Sequence, residues 1–258
     1  MMTPPKIDPT NPEALLNELF DDDRWVKDKF AEHLSGPILE LCEALAGCFR
    51  LMTAVNEAAT KTETVRTALV GAFVFGVLDD IMVSTKLLLT GKLPAAGNLM
   101  RQVIEGIAMS ILCSADKPLI VRRKTKKESE IKMLYWDRLN AGDKLTRGYL
   151  AVDQLAWNAV QLGVLAVAVE RLREAKDYYN TFSHCGTATI TNRVSLEGIG
   201  VFHMGGHFDD AKVEVYRAEL QGRIGLSRML PSFMEHLLNT MTVPATTSAT
   251  PAQRAEPA

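Results

Sequence analysis

"TGKLPAAGNLMRQVIEGIAMSILCS", residues 90–114, decides the fold class. Gly91 suits the residue that ends one helix, and Pro94 suits the first turn of the next. A connection this short makes the two flanking helices antiparallel neighbours. From Pro94 onward, Leu99, Val103, Ile107 and Ile111 recur at helical spacing with Met100, Ile104 and Ala108 beside them. Asn98, Arg101, Gln102 and Glu105 fall on the other face. Beyond Glu105, Met109, Leu112 and Cys113 occupy that polar side too, so the second half of the helix is apolar all round and is expected to be buried. Arg101 and Glu105 then stand where solvent gives way to core.

The same periodicity extends outward in both directions, and strand-type alternation is almost absent. "PEALLNELF" (12–20) reads as a short amphipathic helix, and a second runs from about Asp23 to His33 and stops at "SGP". From Pro37 to about Ala59, Ile38, Leu41, Leu45, Cys48, Met52 and Val55 trace one apolar face. Thr62 and Glu63 open a helix to Leu89, which leads into the opening stretch. A charged helix is expected over 117–140, a very long one from Arg147 to His184, and a last one from Asp209 to Leu238. Only 187–208 lacks helical period and reads as a short irregular or hairpin insert. The fold class is therefore all-α, a multi-helix bundle, with a flexible N-terminus at 1–11 and one helical domain at 12–238. "NTMTVPATTSATPAQRAEPA" (239–258) has too little apolar content to fold and reads as a disordered tail.

The 258 residues are 47% hydrophobic, ample for a substantial core. Charge nearly cancels, 29 basic against 31 acidic residues, so attraction to a polyanion has to be local. Cys42, Cys48, Cys113 and Cys185 lie in helical patterns without C-x2-C spacing and read as reduced thiols in a cytoplasm. "MMTPPKIDPTNPE" is no secretory signal. The most apolar windows, 67–83 and 155–172, are read as core helices that fall short of roughly 20 uninterrupted apolar residues, so no membrane partner is expected. No Gly-rich phosphate loop is present, and no cofactor is expected.

Three places carry candidate chemistry. Arg101 and Glu105 form an i,i+4 pair that serves either structure or a ligand. "DYYNTFSHCG" (177–186) ends the expected long helix: Arg173, Asp177, Asn180 and His184 share one stripe, and Leu172, Ala175, Tyr179 and Phe182 lie opposite. In the last turn before Gly186, the negative helix end favours a protonated His184, suited to proton transfer, and disfavours a Cys185 thiolate. The alternative is a histidine that only hydrogen-bonds the last carbonyls. "RRKTKK" (122–127) supplies Arg122, Arg123, Lys124, Lys126 and Lys127, the one local field strong enough to draw phosphates, or else a solvated helix face. In "FHMGGHFDD" (202–210), His203 and His207 have H-x3-H spacing, but Gly205 and Gly206 oppose a helix, so no metal site is expected and Asp209 reads as the N-cap of the last helix.

"GKLPAAGNLMRQVIEGIAMSIL", then "YYNTFSHCG" and "GGHFDDAKVEVYRAEL", resemble a bacterial all-helical group with an R-x3-E helix, a Tyr-Asn-x2-Ser-x-His-like helix end and a Gly-Gly-x-Phe-Asp turn. That group is similar to the HEPN (higher eukaryotes and prokaryotes nucleotide-binding) helical domains of toxins, abortive-infection proteins and RNases. The resemblance spans roughly residues 62–230. It implies RNA or another phosphate-bearing ligand, a stress, toxin or phage-defence setting, and a homodimer with paired sites that cleaves RNA without metal. Catalytic members carry R-x4-6-H on one helix. Here Asn180 and His184 match, but Tyr179 stands where the arginine belongs, so Arg101 or Arg173 has to supply the charge. In that scheme His184 shuttles the proton, Asn180 and Ser183 orient it or the ligand, and Arg101 meets a phosphate while Glu105 holds it. The rival reading is a non-enzymatic interaction module whose Arg-Glu and Asn-His residues form a structural polar network.

Overall fold

The computed structural model describes residues 8–196 and 205–242. Among these the chain is a helical bundle with one small antiparallel hairpin. Helix α1 (Pro12–Phe20) is capped by Asn11, whose side chain accepts from the Glu13 and Ala14 amides. Asp8 accepts from the Thr10 amide and hydroxyl, so residues 8–11 form a hydrogen-bonded turn. Residues 1–7 lie outside the described residues.

Helix α2 (Arg24–Thr62) joins two expected helices. At "SGP" the chain bends instead of breaking: Leu34 leaves helical geometry at φ −135°, three residues before Pro37. Pro37 lacks the amide that would bond the preceding turn, which explains a kink. Phe30, Leu34 and Leu41 are all fully buried, so the apolar stripe crosses the kink and keeps both halves on one core. Glu63, at φ +49°, ends α2, and Thr64 opens α3 (Val65–Leu89) through a reciprocal capping pair with Thr67.

Helices α3 and α4 (Leu93–Ser114) form the antiparallel pair predicted from their connection. Gly91 turns the chain at φ +72°, the Ser84 hydroxyl donates to the Ala96 carbonyl at 2.8 Å, and Gly106 lies against Val77. Every residue from Ile107 to Ser114 is buried. By length and composition α3 could cross a membrane, a test that a core helix also passes. In this fold it packs its Val70, Val74, Val77, Leu78 and Ile81 face into the bundle. Helix α9 (Val213–Thr242) closes the bundle against α2 and α3, and the Cys48 thiol on α2 donates to the Ser227 carbonyl of α9. Because α9 reaches Thr242, residues 239–242 are helix and not tail; 243–258 lie outside the described residues.

Two expected helices are corrected. Over 117–140 the chain forms β1 (Leu119–Arg122), β2 (Ile131–Met133) and α5 (Tyr135–Asn140). Pro118 keeps the chain out of helix after α4 has ended at Ser114, and "LIV" buries Leu119 and Val121 on one strand face. The expected helix 147–184 is two: α6 (Gly148–Asn158) and α7 (Ala166–Asn180). Gly163, at φ +67°, turns the chain between them while the apolar pattern continues on both sides.

The insert at 187–208 contains a short helix, α8 (Thr187–Thr191); residues 197–204 lie outside the described residues. Gly206 lies so close to the Thr90 carbonyl that a β-carbon there would fall 1.7 Å from the oxygen. Phe208 is buried against Phe30 and Tyr216. Asp209 accepts from the Ala211 and Leu196 amides, and the buried Lys212 amine reaches the Thr191, Asn192 and Val194 carbonyls. The Gly-Gly-x-Phe-Asp run thus locks the α3–α4 turn to the start of α9.

Candidate functional site

Helix α4 presents Arg101 and Glu105 one turn apart, and the Arg101 Nε donates to Glu105 Oε1 at 2.9 Å. Their side chains are 25% and 14% exposed, on the wall of a groove of about 530 Å³ between α3 and α4 that Phe73, Asp80 and Met109 also line. Burial, then the neighbouring Asp79, raises the Asp80 carboxyl above its ordinary value. Glu105 also lies close against Gly148 at the start of α6, so a larger residue there would displace its carboxylate.

The fold removes His184 from the second constellation, while Arg173, Asp177 and Asn180 stay on α7. Helix α7 ends at Asn180, and Thr181, Phe182 and Ser183 continue as a turn whose amides donate to Tyr178, Tyr179 and Asn180. His184 is therefore exposed and four residues past the helix end, not in the last turn where its spacing placed it. Among the described residues the side chains of Asn180 and His184 take no hydrogen-bond partner, and nothing bonds either of them to Arg101. The Ser183 hydroxyl turns back to the Tyr179 carbonyl at 3.5 Å. Arg173 is spent on the surface, paired with Asp153 at 3.9 Å and Glu170 at 3.6 Å. Tyr179 is buried, and burial pushes its hydroxyl up to about 12. The aromatic residues of this stretch, Tyr178, Tyr179 and Phe182, pack on one another with ring centroids 5.0 to 6.3 Å apart.

The polar network that the fold does assemble lies elsewhere. Arg223 is fully buried, pairs with Glu219 at 2.6 Å and donates to the Ser84 hydroxyl at 2.9 Å. The Tyr178 hydroxyl donates to Glu219 at 2.5 Å, so α3, α7 and α9 meet at one ion pair. The sequence held a signal for it: Glu219 and Arg223 fall on the same α9 face as Tyr216, Leu220, Ile224 and Ser227, all buried.

The basic run comes to the tip of the β1–β2 hairpin. The tip is ordered: the Thr125 amide donates to the Glu128 carbonyl, and its hydroxyl accepts from the Lys127 and Glu128 amides. Arg122 pairs with Glu128, and Arg123 stands over the Trp157 ring at 5.4 Å. Lys124, Lys126 and Lys127 are exposed and unpaired among the described residues. Asn158 of α6 fixes the stem by treating Ile120 as a strand partner, accepting from its amide and donating to its carbonyl, both at 2.9 Å. Gln154 adds a bond to the Val121 carbonyl at 2.9 Å.

Among the described residues no group of three or more His, Cys, Asp or Glu side chains is arranged to hold a metal ion. His207 stacks on Trp25, and His203 lies outside the described residues. Comparison of the chain with protein-family models, curated proteins and solved structures gives no match.

Proposed function

We propose that the protein binds RNA along its phosphate backbone through the tip of the β1–β2 hairpin, and that it does so without cleaving the strand. The observation that carries this reading is the display of Lys124, Lys126 and Lys127, exposed and unpaired, on a stem held to α6 by Asn158. Cations displayed on a hydrogen-bonded turn meet phosphates without the backbone having to order first, and they release the polymer's counterions on contact. Arg123 on Trp157 adds a flat cationic surface beside the tip. RNA is also the polymer implied by the HEPN-like resemblance, which supports the reading without carrying it. Cleavage has no comparable support, because Arg101 is committed to Glu105 and no hydrogen bond joins it to Asn180 or His184 among the described residues.

Binding of a labelled single-stranded RNA, followed by anisotropy at several salt concentrations, tests the proposal. Affinity is expected to fall with salt, and reversing Lys124, Lys126 and Lys127 to Glu should reduce the logarithmic salt slope by about 2. Wild-type affinity in that triple variant sinks the reading. Cleavage products that disappear in a stably folded His184→Ala protein restore the enzymatic one.

A further inference from the structure

A cavity of about 850 Å³ opens where α2 and α9 end, α3 begins and the chain leaves α4 for the hairpin. That size is in the range of sites for small organic molecules. We propose that it binds a small phosphate monoester whose phosphate is carried on a flat apolar body.

The charge of the lining sets the headgroup. Among the described residues that line it, Lys61, Arg66 and Lys117 are matched by one acid, Asp116, and this excess of two positive charges suits a dianion. Arg66 is the fixed element. Its Nη1 donates to the Ser114 carbonyl at 2.6 Å and the Thr240 carbonyl at 3.2 Å, in the last turns of α4 and α9. Those two bonds orient the guanidinium plane, and its other edge, Nε and Nη2, takes no acceptor among the described residues and is not sealed from solvent. A guanidinium edge with two parallel N–H groups is the geometry that meets two oxygens of a phosphate. Lys61 and Lys117 are exposed and unpaired among the described residues, so they can close on the same group from the rim.

The remaining lining sets the body of the ligand. Trp136, Leu162, Ala58 and the buried Met241 form an apolar wall on which a ring can lie. Inorganic phosphate would leave that wall unused. The chain passes from the cavity straight into β1 beyond Lys117 and returns to it at Trp136 shortly after β2. A ligand here therefore touches both roots of the hairpin, although the site stands whether or not the hairpin binds RNA.

Titration calorimetry on the full chain with phenyl phosphate and with inorganic phosphate tests the proposal. Phenyl phosphate is expected to saturate one site, with inorganic phosphate about tenfold weaker or more. The double variant Lys61→Glu/Lys117→Glu alters only exposed side chains; its melting temperature should hold while phenyl phosphate affinity falls about tenfold or more. Absence of saturable binding, equal affinity for the two phosphates, or wild-type affinity in the double variant overturns the assignment. A chain with Lys124, Lys126 and Lys127 reversed should keep its phenyl phosphate site, which separates this proposal from the RNA reading.

Discussion

The Phe182 ring lies directly against Gly97, its Cγ 2.5 Å and its Cδ atoms 2.6 and 3.0 Å from where a β-carbon on that glycine would stand. This contact seats the end of α7 on α4 and gives the stretch 177–186 its structural role. Tyr178, Tyr179 and Phe182 anchor the helix end, and the polar residues between them face outward. Gly97→Ala has to push the ring itself, not the far end of a flexible chain. The expected loss is about 1–3 kcal/mol in chemical denaturation. The double variant Gly97→Ala/Phe182→Leu should recover part of it. Unchanged stability in the single variant would falsify the close contact.

The Glu219–Arg223 pair makes a sharper prediction, because both side chains are within 2% of complete burial. Removing one charge leaves the other in apolar surroundings, so Glu219→Gln or Arg223→Met alone should cost about 3–5 kcal/mol. Replacing both with apolar residues, Glu219→Leu/Arg223→Met, removes the orphaned charge and should cost less than either single change. Additive losses in a double-mutant cycle would show that the pair is not coupled.

Asp80 gives a pH signature. Its carboxyl is raised by burial and by Asp79, so the folded protein binds its proton more tightly than the unfolded chain does. The stability this contributes is fully present below the ordinary aspartate value of 3.8 and is lost as pH rises through the higher folded value. Asp80→Asn should therefore melt higher than wild type at pH 7, and the difference should shrink towards pH 4. A gap that stays constant with pH removes Asp80 as its source.

The features that the sequence showed plainly are those with long repeats. The α2 stripe from Leu41 to Val55, with Leu45, Cys48 and Met52 between them, is buried as its spacing implies, and Ile38 is partly buried at its start. The all-round burial at the end of α4 and the Gly91 turn followed the same way. What escaped was short or depended on one residue. Pro118 and a four-residue strand interrupt a charged run too briefly for alternation to register, and Gly163 stops a helix inside an apolar stretch. At the candidate sites, spacing placed Arg101 beside Glu105 correctly, since an i,i+4 pair is a local relation. It could not show that His184 falls beyond the helix, because that depends on where α7 ends. Nor could it bring Arg223 to Ser84, 139 positions away in the chain.

The hairpin stem rests on Asn158 in a way that one substitution can isolate. The Asn158 carboxamide supplies both an acceptor and a donor to Ile120 and a further bond to the Gln154 carbonyl, and its side chain is 2% exposed. Asn158→Leu keeps the volume but leaves the Ile120 amide and carbonyl without these partners. Each lost bond is worth about 1 kcal/mol, and an unsatisfied buried group costs more. The loss is concentrated on β1, which among the described residues has β2 as its only strand neighbour. The hairpin amides should therefore lose hydrogen-exchange protection before the α2 and α4 core does, and protease should cut first within residues 123–130. Asn158→Asp keeps the acceptor for the Ile120 amide but sets a buried carboxylate against the Ile120 and Gln154 carbonyls, so at pH 7 it should weaken the hairpin at least as much as the leucine variant. Uniform loss of protection across the bundle would mean that Asn158 supports the global fold and not the finger, and would remove the rigid display of Lys124, Lys126 and Lys127 on which RNA binding is argued.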